Sequence, residues 1–107
     1  MKTFKINDTD YEFVFGVSAL QYFYDNPYEY TLINIARKGL EQGAKRAGKK
    51  LEKGLDIEAM LDDNEKFFTE VATVESKHAT SILVKKTFLE VMTQRQKEAE
   101  ELQENSN

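Results

Sequence analysis

The first sixteen residues carry two short runs in which apolar and polar side chains alternate, at residues 4–6 and 11–15. Aromatic and β-branched side chains favour strands, and the turn-forming segment 7–10 between the runs predicts a β-hairpin. Because strand side chains alternate between two faces, one face is expected to be apolar. It carries Phe4, Ile6, Tyr11, Phe13 and Phe15. An isolated hairpin is marginal in water, so this face must pack on the following helices or on another chain.

Beyond Gly16 the apolar spacing becomes helical. Ser18 and Gln21 have the spacing of a capping box, which predicts a short helix that begins at Ser18. Pro27 is the only proline, and the residue before a proline avoids the helical conformation, so this helix is expected to end or bend there. Asn26 as cap with Pro27 at the first helical position predicts that a second helix starts at once.

The second helix is expected to be long and amphipathic. Its apolar residues recur at intervals of three or four and include Leu32, Ala36, Leu40, Ala44, Ala47 and Leu51. Gly39 and Gly43 weaken such a helix, since each glycine costs about 0.5–1 kcal/mol relative to alanine. Two interpretations stay open. Either Gly39, Gly43 and Ala47 form a strip of small residues that another backbone approaches closely, or residues 39–54 form a mobile connector.

The second half of the chain predicts further helices. Asp56 is placed to cap a helix, and residues 62–65 to form a turn or a second cap. Residues 67–92 keep helical spacing, which predicts one long helix or two consecutive helices with a break at Thr80 or Ser81. Residues 94–107 are charged and have no face to bury, so we expect a frayed or disordered tail.

Together these elements predict an α+β fold that is mostly α, with an N-terminal β-hairpin packed on three to five α-helices and a polar C-terminal tail. At 107 residues the chain has the size of one domain. We place that domain at residues 1–93, with the hairpin at 1–16 and the helical part at 17–93.

Charge is segregated along the chain although the net value is only −4. Residues 37–53 hold seven basic and two acidic side chains, whereas residues 56–75 hold seven acidic and one basic. The two blocks either pair across a packing edge or subunit interface, or they are separate solvated faces. Exposed ion pairs contribute only about 0.2–1 kcal/mol each, which favours solvated faces.

The residues that carry chemistry are few, and we expect no enzyme, no cofactor and no metal site. His78 is the only histidine, lies by the apolar side of its predicted helix, and is typical of a core or half-exposed position. No cysteine is present, and residues 62–65 lack the ligand alternation and glycine of a calcium loop. No apolar run approaches the roughly 18 residues of a membrane span, and no standard export signal opens the chain.

Residues 37–53 have the positive charge of a nucleic-acid contact. The acidic total and the lack of an aromatic residue between Tyr30 and Phe67 argue against such a partner, because no ring within the basic run can stack on bases.

A protein partner fits the aromatic composition better. Four tyrosines surround Pro27, and tyrosine is favoured at interfaces because its ring is apolar and its tip polar. The same rings are also suited to cover the hairpin as core. With the apolar and small residues of the second helix, the candidate partner-binding residues are Tyr22, Tyr24, Tyr28, Tyr30, Leu32, Ala36, Gly39, Leu40, Gly43 and Ala47.

The N-terminal segment also resembles a known family. Phe4-Lys5-Ile6-Asn7-Asp8, then Tyr11-Glu12-Phe13-Val14-Phe15-Gly16, then Val17-Ser18-Ala19-Leu20 is similar to the start of the tail assembly chaperones of long-tailed bacteriophages that infect Gram-positive bacteria. These proteins often begin with a short strand, a polar turn, a second strand ending in Phe-Gly, and a helix. The resemblance covers about the first quarter of the chain and has no match beyond residue 37.

The resemblance implies a non-enzymatic role in the cytoplasm of the infected bacterial host. The expected partners are the tape measure protein, which the chaperone binds and keeps soluble, and the major tail protein, whose subunits it helps recruit. Several copies of the chaperone, as a homo-oligomer, can coat one partner. The alternative hypothesis is a small acidic regulatory or inhibitor protein that binds a basic site on a host protein through residues 56–75.

Overall fold

A computed structural model describes residues 2–105, with side chains through Gln103. Two strands, β1 (Lys2–Ile6) and β2 (Thr9–Phe13), are followed by α1 (Val17–Asp25), a 3-10 turn (Pro27–Glu29), α2 (Leu32–Arg46), α3 (Ile57–Asp63) and α4 (Glu65–Asn105). The strands pair in antiparallel fashion as a two-stranded sheet. The predicted fold class, a hairpin on a mostly helical body, is confirmed.

The hairpin turns at two residues in the left-handed conformation, Asn7 at φ 51° and Asp8 at φ 64°. Positive φ at both central positions matches the strand twist in a two-residue hairpin, and Asn and Asp tolerate it best after glycine. The register sets Phe4 opposite Tyr11. Phe4, Ile6 and Phe13 are buried, so the predicted apolar face exists and is covered.

The cover of that face is Phe67 of α4 together with α2. The Phe67 ring lies 5.3 Å from that of Phe4 and 5.9 Å from that of Phe13, measured between centroids. Tyr22, Tyr24 and Tyr30 pack against the same core cluster as partly buried residues, so the tyrosines around Pro27 contribute to the core but are not the main cover of the hairpin. Phe67 is itself fully buried, which makes this aromatic cluster the centre of the core.

Helix α2 lies directly on β2 through its glycines. A Cβ atom on Gly43 would lie 1.9 Å from the carbonyl oxygen of Glu12, and one on Gly39 would lie 2.1 Å from the Phe13 ring. The Val14 amide donates to the Gly39 carbonyl at 3.0 Å, which joins the two elements. The small residues thus allow a close backbone approach, as one interpretation held, and the approaching backbone belongs to the same chain.

Two helix starts differ from their predicted positions. Gly16, in an extended conformation, is the N-cap of α1, while the Ser18 hydroxyl accepts from Gln42 on α2 at 2.8 Å and makes no cap. After Pro27 the chain forms only a 3-10 turn, and α2 begins five residues later, where the Thr31 hydroxyl accepts from the Asn34 amide at 3.2 Å. A tertiary partner outcompeted the local capping box.

The end of α2 also differs, since the helix stops at Arg46 rather than at Leu51. Gly48 has φ 71° and its amide donates to the Lys45 carbonyl, while the Lys49 amide donates to Ala44 at 2.8 Å. This is the Schellman termination that glycine favours. Gly39 and Gly43 lie inside the helix, so the segment that connects α2 to α3 is limited to the loop at residues 47–56.

Two acidic or amide side chains cap the last helices as predicted. Asp56 accepts from the Ala59 amide at 3.1 Å, and Asn64 accepts from the Phe67 amide at 2.9 Å. Asn64 also donates to the Lys5 carbonyl at 3.1 Å, and Lys2 forms an ion pair with Glu70 at 2.6 Å. These contacts hold β1 against the start of α4.

Helix α4 runs for 41 residues without a break at Thr80 or Ser81 and gives the chain a long axis of 67 Å. The expectation of a frayed tail from residue 94 is wrong for residues 94–105, which continue the helix. Glutamate, lysine, glutamine and arginine have high helix propensity, and Gln94 pairs with Glu98 one turn on. Residues 106–107 of the expected tail lie outside the described residues.

Candidate functional site

The tyrosines around Pro27 form an edge of the molecule where α1, the 3-10 turn and α4 meet. We define the tyrosine edge as Tyr22, Tyr24 and Tyr28. Tyr28 is 60% exposed, whereas Tyr22 and Tyr24 are half-buried beside it in sequence. Pro27 is buried and fixes the turn that presents Tyr28.

Tyr28 lies against α4. Its hydroxyl donates to the Glu90 carboxylate at 3.3 Å, and the Lys86 ammonium lies 4.9 Å from its ring centroid. Desolvation, and then the charge of Glu90, raise the pKa of the Tyr28 phenol. One face of the ring is therefore engaged by a cation, and the rest is open to a partner.

Tyr22 has a similar arrangement on α1. The Lys38 ammonium lies 3.8 Å from its ring centroid, and its hydroxyl donates to the Glu29 carboxylate. That hydrogen bond is the largest cause of a raised pKa for the Tyr22 phenol, followed by desolvation. Both tyrosines are thus held in place by a lysine and a glutamate, which reduces the ordering that binding would require.

Tyr30 serves the fold instead. Its hydroxyl donates to the Glu75 carbonyl of α4 at 2.7 Å, and its ring packs edge-on against Phe23 at 5.4 Å. Burial, and then the charge of Glu75, raise the pKa of Tyr30 to about 12. This side chain fastens the segment after the 3-10 turn to α4.

The predicted residues on α2 do not join the tyrosine edge as one surface. Ala36, Gly39, Leu40 and Gly43 are buried within the chain, because α2 turns this face toward β2 and the core. They offer nothing to a partner in this conformation, which corrects their assignment as partner-binding residues. Leu32 is half-buried, and Ala47 is exposed at the end of α2, far along the helix from Leu32.

A basic groove runs beside the end of α2, with a volume of about 680 Å³. Leu51, Leu55 and Ile57 form its apolar part. Its charged lining comprises Arg37, Glu41, Lys45, Lys49, Lys50, Glu52 and Lys53. No aromatic side chain lines it, so it lacks a surface on which bases stack.

The acidic block and the basic block remain separate. Among residues 2–103 the ion pairs join Lys2 to Glu70 and Lys38 to Glu41, and neither links residues 37–53 with residues 56–75. Asp62, Asp63 and Glu65 are exposed. The two blocks are solvated faces, as the energetics of exposed pairs favoured.

His78 is half-buried and stacks on the Phe15 ring at 5.7 Å with an interplanar angle of 29°. Desolvation, and then the nearby Lys77 charge, lower its pKa, so the ring is neutral at pH 7. In the described part of the chain, no three acidic or histidine side chains are grouped to hold a metal ion. A packing role accounts for the position of His78.

Sequence reasoning missed a second exposed surface, on the C-terminal half of α4. We define the α4 stripe as the exposed apolar residues Val84, Phe88, Val91, Met92 and Leu102. Phe88 lies four residues from both Val84 and Met92 and three from Val91, a helical spacing that was detectable in the sequence. Ile82 is the last buried residue of the core along α4, and the residues of the stripe lie beyond it.

Among the helices of residues 2–105, none combines the length and the hydrophobicity that a membrane span requires. Comparison with protein-family models, curated protein sequences and solved structures found no match to this chain.

Proposed function

We propose that this chain is a tail assembly chaperone of a long-tailed bacteriophage. It binds and solubilises the tape measure protein in the cytoplasm of the infected host and helps recruit tail-tube subunits, without catalysis. The observation that supports the proposal is the segment 4–20, whose residues resemble the start of that family and whose hairpin leads directly into α1.

The tyrosine edge is the surface that we assign to the tape measure protein. Tyr28 presents an exposed ring with Lys86 and Glu90 beside it, so it offers apolar area and charges of both signs. A largely helical partner can lay its apolar face on such rings while its polar flanks meet the charges. Tyrosine at a preset position is a common energetic centre of protein interfaces.

Co-expression with a tagged tape measure fragment tests the proposal. We expect the fragment to move into the soluble fraction and to retain the chain during purification. If neither happens, the proposal is refuted.

The assigned surface is tested with Tyr28→Ser, which should weaken retention on the order of tenfold or more, as loss of an interfacial aromatic does. Phe68→Ser is the matched control, because Phe68 is also an exposed aromatic on the body and lies roughly 27 Å along α4 from Lys86. If both variants weaken retention on the tape measure fragment equally, the tyrosine edge is not the binding surface.

A second candidate rests on the exposed carboxylates near α3. Asp62, Asp63 and Glu65 face solvent without an ion pair to the basic block, as an acidic inhibitor of a basic protein site requires. Replacement by Asn, Asn and Gln should abolish inhibition of such a host protein and leave tape measure binding unchanged.

A further inference from the structure

The C-terminal half of α4 leaves the body of the protein. Its last fully buried side chain is Ile82, and the last contact from the body is that of Tyr28 with Lys86 and Glu90. From residue 91 to residue 103 every side chain is exposed. This part of the helix is therefore solvated on all sides in a single copy.

The α4 stripe lies on this projecting part. Its exposed fractions are 64% for Val84, 57% for Phe88, 45% for Val91, 47% for Met92 and 71% for Leu102. At about 100° per residue these positions fall on one side of the helix, with Arg95 and Ala99 between them. The stripe extends roughly 27 Å along the axis. Exposed apolar side chains aligned along one side of a helix in this way mark an interaction site.

The body leaves the stripe open. Tyr28 reaches α4 at Lys86 and Glu90, two residues to either side of Phe88. Residues two apart on a helix point about 160° away from each other, so Tyr28 and the stripe lie on opposite sides of α4. A second helix can lie along the stripe without meeting the body.

The order of charges along α4 indicates which partner fits the α4 stripe. Residues 85–97 contain four basic side chains and one acidic, whereas residues 98–103 contain three acidic side chains and no basic one. Two copies aligned in parallel would set like charges side by side. In antiparallel alignment the acidic end of each copy lies beside the basic segment of the other.

We propose that two copies of this chain associate through α4 in antiparallel orientation, with the α4 stripe of each packed on that of the other. A register centred on residue 93 sets Val84 of one copy opposite Leu102 of the other, and Lys85 opposite Glu101. Ten exposed apolar side chains become covered, and the two bodies lie at opposite ends of the pair. This pairing is independent of the chaperone role, since it needs no tape measure protein.

The mass in solution is the first test, measured by sedimentation equilibrium so that the elongated shape does not distort it. The full chain should be a dimer that dissociates on dilution. Phe88→Glu should weaken self-association on the order of 100-fold, because each dimer loses two aromatic rings from the paired stripes and gains two charges there. Leu83→Glu is the matched control, since Leu83 is 62% exposed on the same helix but points about 140° away from Phe88. It should leave the dimer intact.

Cysteine pairs test the orientation, and the chain contains no cysteine that would interfere. A mixture of the Val84→Cys and Leu102→Cys chains should form the mixed disulfide on mild oxidation, while either variant alone stays largely uncrosslinked. A rapid disulfide in Val84→Cys alone would indicate parallel helices and overturn the proposal. A monomeric full chain, or equal dissociation by Phe88→Glu and Leu83→Glu, would also overturn it.

Discussion

Replacing Gly43 by alanine should disrupt the packing of α2 on β2 and destabilise the fold. The added Cβ would lie 1.9 Å from the Glu12 carbonyl oxygen and 2.4 Å from its carbon, well inside van der Waals contact. Both atoms are backbone atoms of a hydrogen-bonded strand, so no rotamer change relieves the overlap. The helix must move by more than 1 Å, which pulls on the Val14 to Gly39 hydrogen bond and on the packing of Phe13.

The magnitude follows from two opposing effects. Overpacking a well-packed site costs about 1–3 kcal/mol, and contact with backbone places this case at the upper end. Alanine in a helix interior returns about 1 kcal/mol relative to glycine. The net loss in the free energy of unfolding is therefore about 2 kcal/mol. In a domain of this size that lowers the melting temperature by roughly 8–16 °C.

Thermal melts followed by circular dichroism at 222 nm measure this loss. Gly39→Ala provides the comparison, because its Cβ meets the Phe13 side chain, and Phe13→Leu should restore part of the stability lost there. Glu12→Ala should restore nothing in Gly43→Ala, since the offending carbonyl remains. A melting temperature that is unchanged or raised in Gly43→Ala would refute the close approach of α2 and β2.

Three further predictions concern the core, the caps and pH. Phe67→Ala should lower the free energy of unfolding in urea by about 3–5 kcal/mol, since it empties the centre of the core. Asn64→Ala should cost more than Asp56→Ala, about 2 against about 1 kcal/mol in the same titrations, because Asn64 also holds Lys5. Tyr30 keeps its proton in the folded chain up to about pH 12, so the unfolded chain ionises first above pH 10. Stability should therefore fall from pH 10 to pH 12 in thermal melts, and less steeply in Tyr30→Phe.

Local signals predicted the elements that depend on neighbouring residues. The hairpin follows from alternation and a turn of Asn and Asp, and Asp56 and Asn64 cap helices where the sequence places them. Other features depend on contacts that are distant in sequence. Ser18 fits a capping box, yet Gln42 of another helix takes its hydroxyl. Spacing alone also continued α2 past Gly48, whose left-handed backbone ends it.

The candidate surfaces show the same division. Tyrosine composition marked Tyr28 and Tyr30 alike as candidates, but it could not separate the exposed Tyr28 from the half-buried Tyr30, whose hydroxyl donates to the Glu75 carbonyl. The spacing of Gly39 and Gly43 indicated a site where another backbone approaches closely. It did not indicate that this backbone is β2, because spacing within a helix contains no information about the helix's packing partner. The α4 stripe was missed since its exposure depends on where the body ends, after Ile82.

The aromatic cluster of Phe4, Phe13 and Phe67 has a consequence for the order in which the protein is made. Phe67 follows Phe13 by 54 residues. At about 5–20 residues per second, the ribosome needs roughly 3–11 s to add them. Within that interval the hairpin first has no cover and then, once residues 32–46 have been added, only α2, so Phe4 and Phe13 stay open to other chains. Folding can finish only after the start of α4 emerges from the ribosome. The nascent chain therefore passes through a stage in which Phe4 and Phe13 are exposed and prone to aggregate, although both are buried in the folded protein.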